Sequence, residues 1–180
     1  PFRPQGDPAD IRQALDILQN AEKPVIVAGG GVRHSGARAE LTRLAEGLNI
    51  PVVTSLNGKD TFLSTHPLSA GVVGSYSRAS ANRTIGEADL VCFVGSKTGG
   101  MTTHFWQVPA PGIDAIQIDI EPAEIGRNYP LKAAVQGDAK TVLSAMAEMM
   151  DTETANIRTA WTTRMQTIAS EWQTEYEPLL

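Results

Sequence analysis

The chain has 180 residues, 42% of them hydrophobic, and carries 15 Lys and Arg against 20 Asp and Glu, a formal charge of −5. That length holds one domain with a full core, and the acidic balance, without any basic run, excludes a nucleic-acid binder. No apolar run approaches the roughly 18 residues of a membrane helix, and the single cysteine, Cys92, leaves no internal disulfide and fits a reducing, cytoplasmic compartment.

Asp7-Pro8 followed by Asp10 predicts a helix start, with Asp7 as cap and proline at the first helical position. Ile11, Ala14, Leu15 and Leu18 then repeat at helical spacing and give one buried face. Pro24 stops that helix, and Pro24 to Val32 reads Pro-Val-Ile-Val-Ala-Gly-Gly-Gly-Val. An apolar run without alternation is a strand buried on both faces, as in a parallel sheet. A second helix is expected with Ser35 as its cap, burying Leu41, Leu44, Ala45 and Leu48 and ending at Asn49. Pro51 to Ser55 is the next strand, which completes a right-handed βαβ unit.

Asn57-Gly58-Lys59 predicts a turn, and His66-Pro67-Leu68 leads into a glycine-flanked segment from Gly71 to Gly74. Ala79 to Glu87 reads as helix and Leu90 to Val94 as strand, again ending in glycine at Gly95. Ser96 to Pro111 has no periodicity and reads as a long loop, of the kind that is usually functional or mobile. Ala115 to Asp119 and Lys132 to Val135 are the last strands. Asp138 caps a helix burying Val142, Ala145, Met146 and Met149, and a final helix carries Ile157, Trp161, Met165, Ile168 and Trp172 on one stripe. The expected fold is α/β: a doubly wound, mostly parallel sheet with helices on both faces, Rossmann-like, of the FAD/NAD-binding-domain type.

Ligands in such sheets sit beyond the carboxyl ends of the strands. The candidate cofactor-binding residues are therefore Gly29, Gly30 and Gly31, then Ser96, Lys97 and Thr98, then Asp119 and Ile120, and finally Asp138. Glycines after a strand let the backbone approach a bound group, and amides opening the next helix favour a phosphate. Lys97 and Thr98, with Thr102 and Thr103, are placed to line a phosphate or ribityl chain. Asp119 is the ribose candidate, and Asp138 is expected chiefly as a helix cap. The dinucleotide fingerprint is incomplete: His34 stands where the third glycine belongs, and Thr54 and Ser55 stand where an acid about 20 residues on should be. This disfavours a nicotinamide-dependent oxidoreductase. His34, His66 and His104 lack metal-ligand spacing, Cys92 sits in an apolar strand, and Trp161 and Trp172 are packing anchors. No catalytic residue and no metal site is expected.

Taken together, the segments from Pro24 to Ala37, Ile50 to Lys59, His66 to Gly74, Glu87 to Gly95, Ile118 to Gly126 and Gly137 to Ala139 resemble the central domain of thiamine-diphosphate-dependent enzymes related to acetolactate synthase. The resemblance covers residues 1–150, while residues 151–180 resemble the helical linker toward a further domain; the start at Pro1, without methionine, suits a piece of a longer chain. It implies a non-catalytic scaffold domain, with thiamine diphosphate and magnesium held by other domains of the parent chain and the parent forming a homo-oligomer. The family's catalytic glutamate and its Gly-Asp-Gly motif with paired asparagines belong to those domains; here Gly137-Asp138 is followed by Ala139. Some relatives bind FAD or ADP in the central crevice. Flavin-binding relatives usually carry an arginine after the glycine matching Gly95, where this chain has Ser96-Lys97-Thr98. An empty or vestigial crevice is expected ahead of a working FAD- or ADP-binding module.

Overall fold

The computed structural model describes residues 2–179; Pro1 and Leu180, the outer ends of the two expected segments, lie outside the described residues. Its elements run α1 (Pro8–Asn20), β1 (Pro24–Ala28), α2 (Gly30–Ser35), α3 (Arg38–Leu48), β2 (Val52–Thr54), β3 (Ser69–Val72), α4 (Ala79–Gly86), β4 (Leu90–Val94), β5 (Asp114–Asp119), β6 (Ala133–Gln136), α5 (Ala139–Met149) and α6 (Thr159–Tyr176). The six strands form one sheet in the order β3-β2-β1-β4-β5-β6, with every neighbouring pair parallel. The order reverses between β1 and β4, and a doubly wound sheet opens its crevice at that switch point. Register aligns Ala28 with Thr54 on one side and with Val94 on the other, and Val94 with Ile118. Four chain segments therefore leave the sheet at one level.

Alternate strand residues feed two cores. Ile26, Ala28, Cys92, Val94, Ile116 and Ile118 pack with the apolar faces of α1, α3 and α5. Val25, Val27, Val91, Phe93 and Ala115 face the other way, against Ala81 and Ile85 of α4 and Trp161 and Met165 of α6. Both sheet faces are thus covered, which is why the strands read as unbroken apolar runs. Cys92 is fully buried, and burial pushes its thiol up to about 12, so it stays protonated and inert. No helix among the described residues is long and apolar enough to cross a membrane.

Several sequence expectations are corrected. Ser35 does not cap the second helix. A six-residue helix starts at Gly30, Ser35 is its last residue, and Gly36 in the left-handed region ends it before α3 begins. The segment from Gly71 to Gly74 is only half strand: the edge strand β3 runs Ser69–Val72 and stops before Gly74. Ala145 is only partly buried, Met149 is 39% exposed, and Ile157 is 59% exposed, so neither Met149 nor Ile157 belongs to a buried stripe.

Residues 151–179 are helical and pack on the domain. Trp161 Nε1 donates to the carbonyl of Pro24 at 2.9 Å. Arg158 is wholly buried, and its guanidinium donates to the carbonyls of Ala21, Leu48, Thr154 and Leu18, each at 3.1 Å, and to that of Gln19. Neither α1 nor α3 has a basic residue in its last turn. One buried cation therefore serves the electronegative ends of both helices. Burial lowers the Arg158 pKa from its usual value.

Candidate functional site

At the switch point the three glycines serve the packing of the chain on itself. Gly29 N–H donates to Val94 O at 2.8 Å, and Gly31 N–H donates to Gly95 O at 2.9 Å. A Cβ on Gly29 would fall 2.2 Å from Gly95 O, and one on Gly31 would fall 2.6 Å from Gly95 Cα. The turn after β1 and the turn after β4 thus lie backbone on backbone, and any larger residue would force them apart. Val32 N–H turns back to Gly29 O at 3.2 Å. The amides that a phosphate would use are mostly engaged inside the fold.

A cavity of about 260 Å³ opens beside this turn, lined in part by Gly31, His34, Gly95, Asp119, Ile120 and Asp138. The structure thus brings Gly31, Asp119, Ile120 and Asp138 together, while Gly29, Gly30, Ser96, Lys97 and Thr98 lie off its wall. The N-terminal segment crosses the mouth. Arg3 Nη1 donates to Asp138 Oδ1 at 2.9 Å and to Ser35 O at 2.7 Å. Behind Arg3 the segment is pinned to α5, where Pro4 O accepts from Asp138 N at 2.8 Å and from Thr141 Oγ1 at 2.8 Å. Asp138 also caps α5, its Oδ1 accepting from Lys140 N at 3.0 Å.

Asp119 is the less committed acid. It is 8% exposed, and its Oδ1 accepts from Glu121 N at 3.0 Å. Burial raises its pKa from the ordinary carboxylate value, with the nearby Glu124 adding to the rise and backbone amides and Lys97 opposing it. Ile120 is 52% exposed beside it. One acid carboxylate and one apolar side chain suit a hydroxyl-bearing ring, while Arg3, the arginine on the cavity wall, is already paired with Asp138.

Ser96, Lys97 and Thr98 face another cluster. Lys97 Nζ lies 3.8 Å from Glu124 Oε1, and Asn128 Nδ2 donates to Thr98 O at 3.2 Å and to Thr98 Oγ1 at 3.0 Å. The organiser is Gln117, buried in β5. Its Nε2 donates to Ser96 O at 3.2 Å and to Glu124 O at 3.0 Å, and its Oε1 accepts from Gly126 N at 3.0 Å. Sequence reasoning missed Gln117, although an amide in the middle of an apolar strand is itself a sign of a buried hydrogen-bonding task.

The loop from Ser96 to Pro111 is ordered by its own bonds. His104, Phe105 and Trp106 are all left-handed, with φ of 47°, 55° and 62°, which costs about 1–2 kcal/mol per residue. Phe105 N–H to Gly100 O at 2.7 Å and Trp106 N–H to Thr103 Oγ1 at 3.0 Å hold the turn.

Comparison with known proteins matches this geometry to one family. A family model for the central domain of thiamine pyrophosphate enzymes matches residues 11–146. The acetolactate synthase large subunit of Parasynechococcus marenigrum is 36% identical over 169 residues, covering 93% of this chain and 27% of that protein. A Methanocaldococcus jannaschii protein, named a "probable acetolactate synthase large subunit", is 44% identical over 138 residues, covering 77% and 23%. A solved enzyme from Mycobacterium smegmatis, described as thiamin diphosphate-dependent, superposes with a TM-score of 0.67 at 27% identity, covering 83% of this chain and 29% of that one. The chain spans about a quarter of the length of the curated relatives it matches. By fold, strand order and sequence, this chain belongs to the family of thiamine pyrophosphate enzyme central domains.

Proposed function

We propose that this chain is the non-catalytic scaffold domain of a thiamine-diphosphate-dependent 2-keto acid decarboxylase or carboligase resembling acetolactate synthase. The observation that carries the reading is the switch-point turn, where Gly29, Gly31 and Gly95 are consumed in backbone packing and Asp138 is held by α5 and Arg3. Gly137-Asp138 does not fit a diphosphate and magnesium site. A Cβ at Gly137 would lie 2.7 Å from Val142 Cγ2, so that glycine serves packing, and the Asp138 carboxylate is already in use. In the parent enzyme the cofactor supplies carbanion stabilisation, and its holding residues belong to other domains of the chain. What these residues do is present a parallel sheet whose switch-point polar groups are engaged in internal bonds. Other domains of the parent chain and a second copy of it are the partners, with residues 151–180 leading toward the next domain.

The test is direct. The purified chain, supplied with thiamine diphosphate, magnesium and pyruvate, should release no carbon dioxide above background, and its melting temperature should not move with the cofactor. Turnover, or a cofactor-dependent rise in melting temperature, would remove the scaffold reading.

A further inference from the structure

A second and larger cavity, of about 670 Å³, opens at the end of β2 and along the edge strand β3, and it shares no lining residue with the switch-point crevice. Its volume falls in the range of small-molecule sites. Three separate elements bring cations to it: Arg38 from the start of α3, Lys59 from the 3-10 turn Leu56–Thr61, and Arg78 from the cap of α4. One carboxylate, Asp60, accompanies them. None of the three cations forms an ion pair among the described residues. Arg78 instead lies over the Trp172 ring, 5.4 Å from its centre. In a chain of net charge −5 this is a local reversal of sign, and a cleft concentrates such a field.

The hydroxyls on the same wall are equally uncommitted. Thr54, Ser64, Ser69 and Ser77 line the cavity, and none of their hydroxyls is hydrogen-bonded to a described group. Thr54 is the telling case, because it is only 5% exposed and ends β2 at the level where the crevice segments leave the sheet. Its hydroxyl is not sealed in the core but opens onto the cavity, so whatever enters that space can bond it. The rim adds apolar surface, with Leu56, Leu63 and Tyr76 all well exposed.

We propose that this β2–β3 cavity binds a small organic phosphate with an apolar or aromatic body. Arg and Lys together with several hydroxyl donors match the three terminal oxygens of a phosphate ester better than the two of a carboxylate. Tyr76 and Leu56 cover the body of the ligand. The site goes beyond the scaffold role and does not depend on it, since no residue of the switch-point turn takes part.

Calorimetric titration of the purified chain with phenyl phosphate, inorganic phosphate and benzoate tests the site. Phenyl phosphate should bind with one-to-one stoichiometry, about tenfold tighter than inorganic phosphate, because only it places a ring against the rim. Arg38→Met and Lys59→Met should each weaken it about tenfold, while Arg33→Met, on exposed α2 away from the cavity, should change it less than about twofold. These positions are exposed, so the variants keep the fold, and an unchanged thermal melt confirms it. Absence of binding at about 10 mM phenyl phosphate overturns the proposal. So does equal weakening by all three substitutions, which marks diffuse charge, and so does benzoate binding as tightly as phenyl phosphate.

Discussion

At the switch point between β1 and β4, the Gly31 amide is taken by Gly95 O and the Asp138 carboxylate by Arg3 and the first turn of α5. At the β2–β3 edge of the same sheet, the Thr54 hydroxyl and the Arg38 and Lys59 cations face a cavity without a partner among the described residues. Both openings reach the carboxyl ends of strands, where ligands of open α/β sheets bind, the larger one at Thr54 and Val72. Position in the fold is therefore shared, and what separates the two is whether the polar groups are already satisfied. A glycine cluster marks a turn in which backbones can meet; whether a ligand or another turn arrives there depends on residues far away in sequence.

The contrast can be broken most sharply at Gly29. Gly29→Ala puts a methyl 2.2 Å from Gly95 O, against backbone atoms of Gly95 and Ser96, and should cost about 3 kcal/mol in urea denaturation. Gly99→Ala, where a Cβ meets nothing within 4 Å, is the matched control and should lose less than about 0.5 kcal/mol. Equal losses would mean that the glycine cluster is not a packing device. Next comes Asp138→Ala, which removes the α5 cap and leaves Arg3 unpaired, for about 2 kcal/mol. Asp138→Asn keeps the cap and should lose only about 0.5 kcal/mol, because Arg3 is more than a third exposed and its ion pair is screened.

Asp119→Asn runs in the opposite direction. The folded-state pKa of Asp119 is raised by burial, so its ionised form opposes folding, and that penalty is complete only above the raised pKa. The penalty is absent below the usual carboxylate range and grows as pH rises through the window between the unfolded and folded values. The Asn variant keeps the acceptor for Glu121 N and should be more stable than the parent at pH 7, by less than about 1 kcal/mol, with no gain near pH 3. A gain that persists in acid would point to something other than the charge. The smallest effect belongs to the β2–β3 cavity: Thr54→Val exchanges a hydroxyl without a partner among the described residues for a methyl and should shift stability by less than about 0.5 kcal/mol. A loss of 2 kcal/mol or so there would show that the hydroxyl is bonded within the fold after all.

Local signals are legible in the sequence, and long-range ones are not. The apolar runs at Pro24, Leu90 and Ala115 became central parallel strands, and Asp7 and Asp138 became caps, because each depends on a few adjacent residues. Strand β3, Ser-Ala-Gly-Val, has weak β propensity and is held at the edge by β2 alone. The short α2 hides between glycines and a residue that looks like a cap. At the site, the pairing of Asp138 with Arg3 spans 135 positions, and Arg158 gathers the ends of two helices more than 100 positions away. No periodicity carries such information. The Ser96-Lys97-Thr98 stretch follows the end of β4 but turns toward Glu124 and Asn128, a direction set by Gln117.

Equilibrium titration of the purified chain with FAD and with ADP, read by calorimetry and by the visible spectrum, bears most directly on the closed switch-point crevice. The internal bonds of Gly31, Gly95, Arg3 and Asp138 predict a colourless protein that takes up neither nucleotide at millimolar concentration. A flavin spectrum retained through purification, or saturable ADP binding abolished by Asp119→Asn, would contradict it.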